Sequence, residues 1–394
     1  MSVITQRSTE THDSLARFGR GATIGGGVVL LACLLGATFG PGAFFEAYLF
    51  AYVFWLGVAL GCLALVMTHH LVGGVWGFML RRIFEAGALT VPLLALLFVP
   101  LLFGLSHLYR WTSADALAAS EVLRHKRPYL NIPFFIARAV AYFAIWSALA
   151  WYLNAWSRAH DRTGDPALLA RLKRLSAGGL ILYVITTFFA GIDWLVSLEP
   201  EWYSTVFGFL TITSQALIAS AFAILAVILL ARRPPFAAVL TTPRLNDLGG
   251  LLLTATMLWA YMAFSQFLII WAGNLPTDNR WYVHRTTGGW RWLTLALILL
   301  HFVLPFIVLL FRGVRSGRRP LAAVAALLLA MQLVYQFWIV APALHTAGIA
   351  FGPLDLLTPL GIGGIWLGAF LWLLRRGPLL PLHTPQLGTG GDDA

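Results

Sequence analysis

Few of the 394 residues combine an ionisable side chain with a place deep inside an apolar run, and those few are where chemistry is expected. Arg138 and Asp193 are the clearest, since an ionised group inside a membrane-length stretch is costly and marks a site by default. Arg138 stands about six residues into its run, roughly 9 Å deep at the helical rise, and Asp193 lies at similar depth from the end of the next run. Consecutive runs are neighbours, so the two groups are expected to meet. Two readings stay open for them: a structural ion pair, or a wet pocket below the surface that binds a polar headgroup and accepts protons. Tyr142, one turn deeper than Arg138, faces the same pocket, and Trp194 and Trp202 are its expected walls. Glu46, which opens the second run, is a further candidate near the same surface.

A second polar set is spread over later runs: Thr211, Ser214, Gln215, Ser265, Gln266, His301, Gln332, Tyr335 and Gln336. Such residues serve as hydrogen-bonding glue between helices. With His301 near mid-membrane and imidazole titrating around neutrality, a proton-conducting chain is the alternative. Glu85 follows Arg82 and Arg81 by three and four residues, the spacing of a local ion pair on a helix. His69 and His70 are possible haem ligands, but no second pair of histidines faces them at matching depth. Cys33 and Cys62 lie in apolar runs without CxxC spacing, so no disulfide framework, zinc or iron–sulfur site is expected. Phosphate-binding loops, nucleophile elbows and HExxH patterns are absent from the sequence.

The elements that must position these residues follow from composition. Hydrophobic residues make up 59% of the chain and charged residues 11%, with a mean hydropathy of +0.79. Uncharged runs longer than about 18 residues predict spanning helices, placed at 22–40, 44–67, 83–106, 132–156, 176–198, 204–231, 248–272, 290–311, 321–342 and 354–374. The expectation is an all-α polytopic protein, with a short segment 1–21, a membrane domain 22–375 and a disordered tail 376–394. The first run reads as a retained anchor rather than a cleaved leader, since Gly40-Pro41-Gly42 is a turn. Lys and Arg alternate loop by loop, 19 on the side of the N-terminus and 7 on the other, with Arg138 inside a span. That bias places both termini in the cytoplasm of a bacterial inner membrane. It also explains the net charge of +11 without nucleic acid. The longest outward loop, 107–131, carries an amphipathic stretch at 114–123, and residues 273–290 read as a turn-rich loop with aromatic anchors.

Three segments are more specific than composition: YLFAYVFWLGVALGCLALVMTHHLVGGVWG (48–77), DWLVSLEPEWYSTVFG from Asp193, and FSQFLIIWAGNLP (264–276) followed by Trp281-Tyr282. Together they resemble the NrfD-like membrane subunits of alternative complex III, in particular the ActF type, over about residues 20–375. The resemblance implies two four-helix bundles, near 44–198 and 204–342, with the first and last spans outside them. It also implies a quinol:electron-acceptor (cytochrome c) oxidoreductase whose redox centres sit on other subunits. An ActC-like sister, an iron–sulfur subunit and a multihaem cytochrome subunit are the implied partners, and quinone or menaquinone the implied substrate, with nothing bound covalently. Asp193 matches the acidic position of the family motif, and Arg138 lies in a region consistent with the same quinol pocket. A scaffold role within that complex, and a stand-alone secondary transporter, remain as alternatives.

Overall fold

The computed structural model describes residues 2–38, 40–231, 233, 236–345 and 348–381, with only the backbone for 2–11 and 238. The expected tail falls mostly outside these residues. Within them the protein is all-α. Nine helices are long and apolar enough to cross a membrane, and a bent pair makes a tenth, so this is a polytopic membrane protein. The principal helices are α1 (Ser2–Gly36), α2 (Pro41–Val72), α3 (Val75–Ala88), α4 (Val91–Phe103), α5 (Ile132–Thr163) and α6 (Pro166–Trp194). They continue with α7 (Phe207–Leu230), α8 (Thr242–Gly273), α9 (Pro276–Thr286), α10 (Trp290–Leu310), α11 (Arg318–Leu344) and α12 (Pro353–Leu374).

Proline opens many of them, because its missing N–H would have no intrahelical partner in the first turn. The α5–α6 hairpin is written in Gly164-Asp165-Pro166. Gly164 closes α5 at φ 66°, and the Asp165 carboxylate accepts the Ala167 N–H at 2.8 Å to start α6. At the other end of α5, the Asn131 side chain accepts the Phe134 N–H at 3.0 Å.

Several helices outrun their expected spans. α5, α6 and α8 continue well past the apolar residues, because helical hydrogen bonding does not stop where the hydrocarbon does. The third span begins earlier, at Val75, and bends by 40° between α3 and α4. Pro92 there cannot supply an N–H to the preceding turn, and the Thr90 N–H and hydroxyl both donate to the Gly87 carbonyl, at 3.1 and 2.6 Å. The segment read as a turn-rich loop at 273–290 contains the helix α9, a correction that matters below. In the 107–131 loop, short helices at Ala114–Ala119 and Glu121–Lys126 carry the amphipathic stretch.

α2 is the hub. Although apolar enough to span, it is almost wholly enclosed by α3, α6, α7, α11 and α12. Helices α2 to α6 pack on one another, as do α7, α8, α10 and α11, while α1 lies along α12. Lipid offers no hydrophobic drive for helices to associate, so close approach at small residues supplies the adhesion. A Cβ added to Gly61 of α2 would lie 1.9 Å from the Gln215 carbonyl oxygen of α7. Gly61→Ala is therefore expected to destabilise the protein by about 1–3 kcal/mol. Gly27→Ala, where the added carbon meets open space, should leave the thermal midpoint in detergent unchanged.

Candidate functional site

Asp193 lies in the last turn of α6 and Arg138 in the second turn of α5, so the hairpin brings them together at one end of the first helix group. The contact is bidentate: Arg138 Nε and Nη2 donate to the two carboxylate oxygens, each at 2.8 Å. The Tyr142 hydroxyl donates to Oδ2 at 2.9 Å. Arg138 Nη1 donates to the Tyr129 carbonyl at 3.0 Å, and the guanidinium lies 3.9 Å from the Tyr129 ring and 4.3 Å from that of Phe134. Burial, and then the negative charge of Asp193, push the Tyr129 hydroxyl well above the ordinary phenolic range, so it stays protonated. Asp193 is 1% exposed. Trp194 backs the pair within a cage of Phe98, Tyr142, Phe143 and Trp146.

Two candidates for this pocket sit elsewhere. Glu46 Oε2 meets His345 Nε2 at 2.7 Å, close to Asp355, because the start of α2 packs against the start of α12. Trp202 stacks on Trp281 with centroids 4.8 Å apart, in the second helix group, and does not wall the ion pair.

At the opposite end of the first group, the local pair expected at Glu85 is part of a larger knot. Arg81 and Arg82 both donate to Glu85, the Ser157 hydroxyl of α5 donates to the same carboxylate, and Arg82 also pairs with Asp161. All five side chains are buried, so the knot ties α3 to α5. Nearby, His70 Nδ1 lies 3.1 Å from the Ser176 hydroxyl, and His69 packs edge-on against Trp76.

Between these ends the buried side of α6 carries a polar seam. Ser176, Tyr183 and Thr187 recur at helical spacing on one face. The Tyr183 hydroxyl donates to Gln215 Oε1 of α7 at 2.6 Å, and Trp146 Nε1 donates to Thr186 at 2.8 Å. A cavity of about 20 Å³ lies between the groups, lined by Thr187, Gly191, Trp194, Thr211 and Gln215 among others. That is room for one water with polar partners. From Ser176 to Asp193 the helix rises about 25 Å, most of the roughly 30 Å of hydrocarbon. One apolar step, Met67 and Leu149 against Gly179, separates Ser176 from Tyr183.

The proton-path candidates of the second group fall into separate pieces. Ser214 donates to Gln332 at 2.8 Å, with Gln336 at 3.5 Å. Gln266 lies between Ser204 at 3.4 Å and Tyr282 at 3.5 Å, near one surface, and the half-buried Ser265 stands outside that contact. Gln215 turns the other way, to Tyr183 of the first group. His301 sits in a π-helical turn, Leu297–Val303, with its ring centroid 4.0 Å from Trp259 and 5.9 Å from Tyr335. Neither ring nitrogen has a hydrogen-bond partner. His301→Leu is therefore expected to hold or raise stability, by up to about 1 kcal/mol, because an unsatisfied buried polar group is removed; thermal unfolding in detergent checks this.

Loop-like composition conceals one buried cation. Arg285, on α9, is 1% exposed, donating to Glu199 at 3.0 Å and to the Ile339 carbonyl at 2.8 Å, with Trp281 stacked 3.9 Å away. Burial pulls its guanidinium below the usual range, and Glu199 opposes that shift. Trp281 and Arg285 are four residues apart, the one local signal that a helix was present.

Among the described residues, no three His, Cys, Asp or Glu side chains are placed to share a metal ion. Comparison of the chain with protein-family models and with curated proteins finds no match.

Proposed function

We propose that this chain is a membrane subunit of a quinol:electron-acceptor oxidoreductase of the alternative complex III type. In this reading it holds no redox centre and serves proton transfer rather than quinol oxidation. The motifs at 48–77, 193–208 and 264–276 support the membership. The polar seam along α6 carries the choice of role: with one apolar step at Gly179, it runs between two buried clusters of ionisable groups at opposite ends of one helix group. Quinol oxidation demands a carboxylate or imidazole that is open to the substrate hydroxyl. Asp193 instead directs its acceptor sites to Arg138 and Tyr142, which suits a charge fixed at the end of a polar path. Haem, iron–sulfur and quinol chemistry then belong to partner subunits, and the arginine-rich ends of the helices face the cytoplasm of a bacterial inner membrane.

A scaffold role draws on the same saturated ion pair, which would then only lock α5 to α6. Purification of the tagged chain in mild detergent from its native host tests membership. Co-purifying haem and quinol-oxidising activity are expected; a chain that purifies alone, without haem, would overturn the assignment.

A further inference from the structure

A cleft lies on the outside of the molecule, where α1 runs along α12, apart from the polar seam and both ion-pair clusters. Its volume is about 370 Å³. Leu15, Ile24, Leu93 and Ile365 give it an apolar lining, with Arg20 of α1 midway along it, level with Gly368–Leu371, and Arg375, just past α12, at one end. The two helices are held by glycine contacts beside the cleft and beyond it: a Cβ on Gly368 would lie 2.8 Å from the Gly19 carbonyl oxygen, and one on Gly26 2.7 Å from the Gly364 Cα. Ala16 and Trp372 also line the cleft.

We infer that this cleft seats one anionic phospholipid, its headgroup on Arg20 and Arg375 and an acyl chain along the apolar wall. Three observations fit that occupant. Neither guanidinium forms an ion pair among the described residues, and no acidic side chain among them lines the cleft, which leaves it basic there. The lining runs from Arg375 back to Ile365, about 15 Å along the helix, which is half the hydrocarbon thickness and so the depth of one leaflet. At the same end Arg376 lies 3.3 Å from the Trp372 ring, an aromatic–cation pair of the kind that marks the headgroup level. A basic recess between spanning helices is a chemistry that recognises lipid headgroups. The inference does not depend on the electron-transfer reading.

Native mass spectrometry of the full-length chain in detergent, with added phosphatidylglycerol, phosphatidylcholine or inorganic phosphate, tests it. One phosphatidylglycerol per chain should be retained, with a roughly thirtyfold preference over phosphatidylcholine, the ratio expected when two basic residues each add their usual attraction for an anionic lipid. The R20Q/R375Q variant should reduce that preference to about twofold or less. Ala369→Trp, which fills the apolar part and leaves both charges, should abolish retention. Equal retention of the two lipids by the wild type, an unchanged preference in R20Q/R375Q, or retention unaffected by Ala369→Trp would overturn the proposal. Displacement of the lipid by inorganic phosphate alone would also overturn it, since the site would then be one for a free anion.

Discussion

Arg138→Met should destabilise the protein by about 3–5 kcal/mol, among the largest effects of any single change, because it leaves the Asp193 carboxylate buried without its counter-ion. The cost comes from desolvation. In the native state two guanidinium N–H groups and the Tyr142 hydroxyl replace the water that an ionised carboxylate requires. Asp193→Leu should be equally severe, since it strands the guanidinium between Tyr129 and Phe134. Arg138→Met combined with Asp193→Leu should recover more than half of either loss, because apolar groups of similar size replace both charges together. The remainder belongs to the Tyr142 hydroxyl, left without its acceptor. Thermal midpoints of the four proteins in one detergent give the coupling directly; additive losses would show that the pair is not a unit.

Glu85→Ala is the second change of this size. Glu85 receives both Arg81 and Arg82, so its removal leaves two like charges facing each other inside the protein, with Asp161 compensating only the second. A loss of about 3–5 kcal/mol is expected, well above the 0–1 kcal/mol usual for an exposed pair. Arg81→Met should cost clearly less, because Glu85 then keeps Arg82 and Ser157. Yield and thermal midpoint of the two variants check the order. If Arg81→Met were the more damaging, the knot would centre on Arg81 and not on Glu85.

The sequence makes the span count and the Arg138–Asp193 contact legible for a single reason: in hydrocarbon a charge has few partners, so two charges at matching depth on consecutive spans find each other. The same logic exposes Glu85 with Arg81 and Arg82, but not Ser157 and Asp161, whose contact depends on how α5 crosses α3. Glu46 misleads because depth alone says nothing about which helix faces it; α2 turns that residue toward α12. Arg285 is missed because Asn, Gly, Pro and Thr around it resemble a loop, although Trp281 and Arg285, one turn apart, are both buried on α9. His301 attracts attention as a lone imidazole, yet its neighbours are Trp259 and Tyr335 rings rather than a chain of hydrogen bonds. The seam of Ser176, Tyr183 and Thr187 could have been found from its helical spacing; hydroxyls are simply less conspicuous than charges.

A proton-transfer role for the first helix group fixes the ratio of protons released to electrons transferred, and that ratio is the measurement to make. The purified complex containing Arg138→Met/Asp193→Leu would be reconstituted in liposomes, and proton release measured during quinol oxidation. Turnover close to wild type is expected, with proton release reduced to the two protons that quinol itself gives up with its two electrons. A wild-type ratio in the fully assembled variant would contradict it and leave the chain a scaffold; loss of quinol oxidation with assembly intact would contradict it in the other direction, by placing the quinol site here.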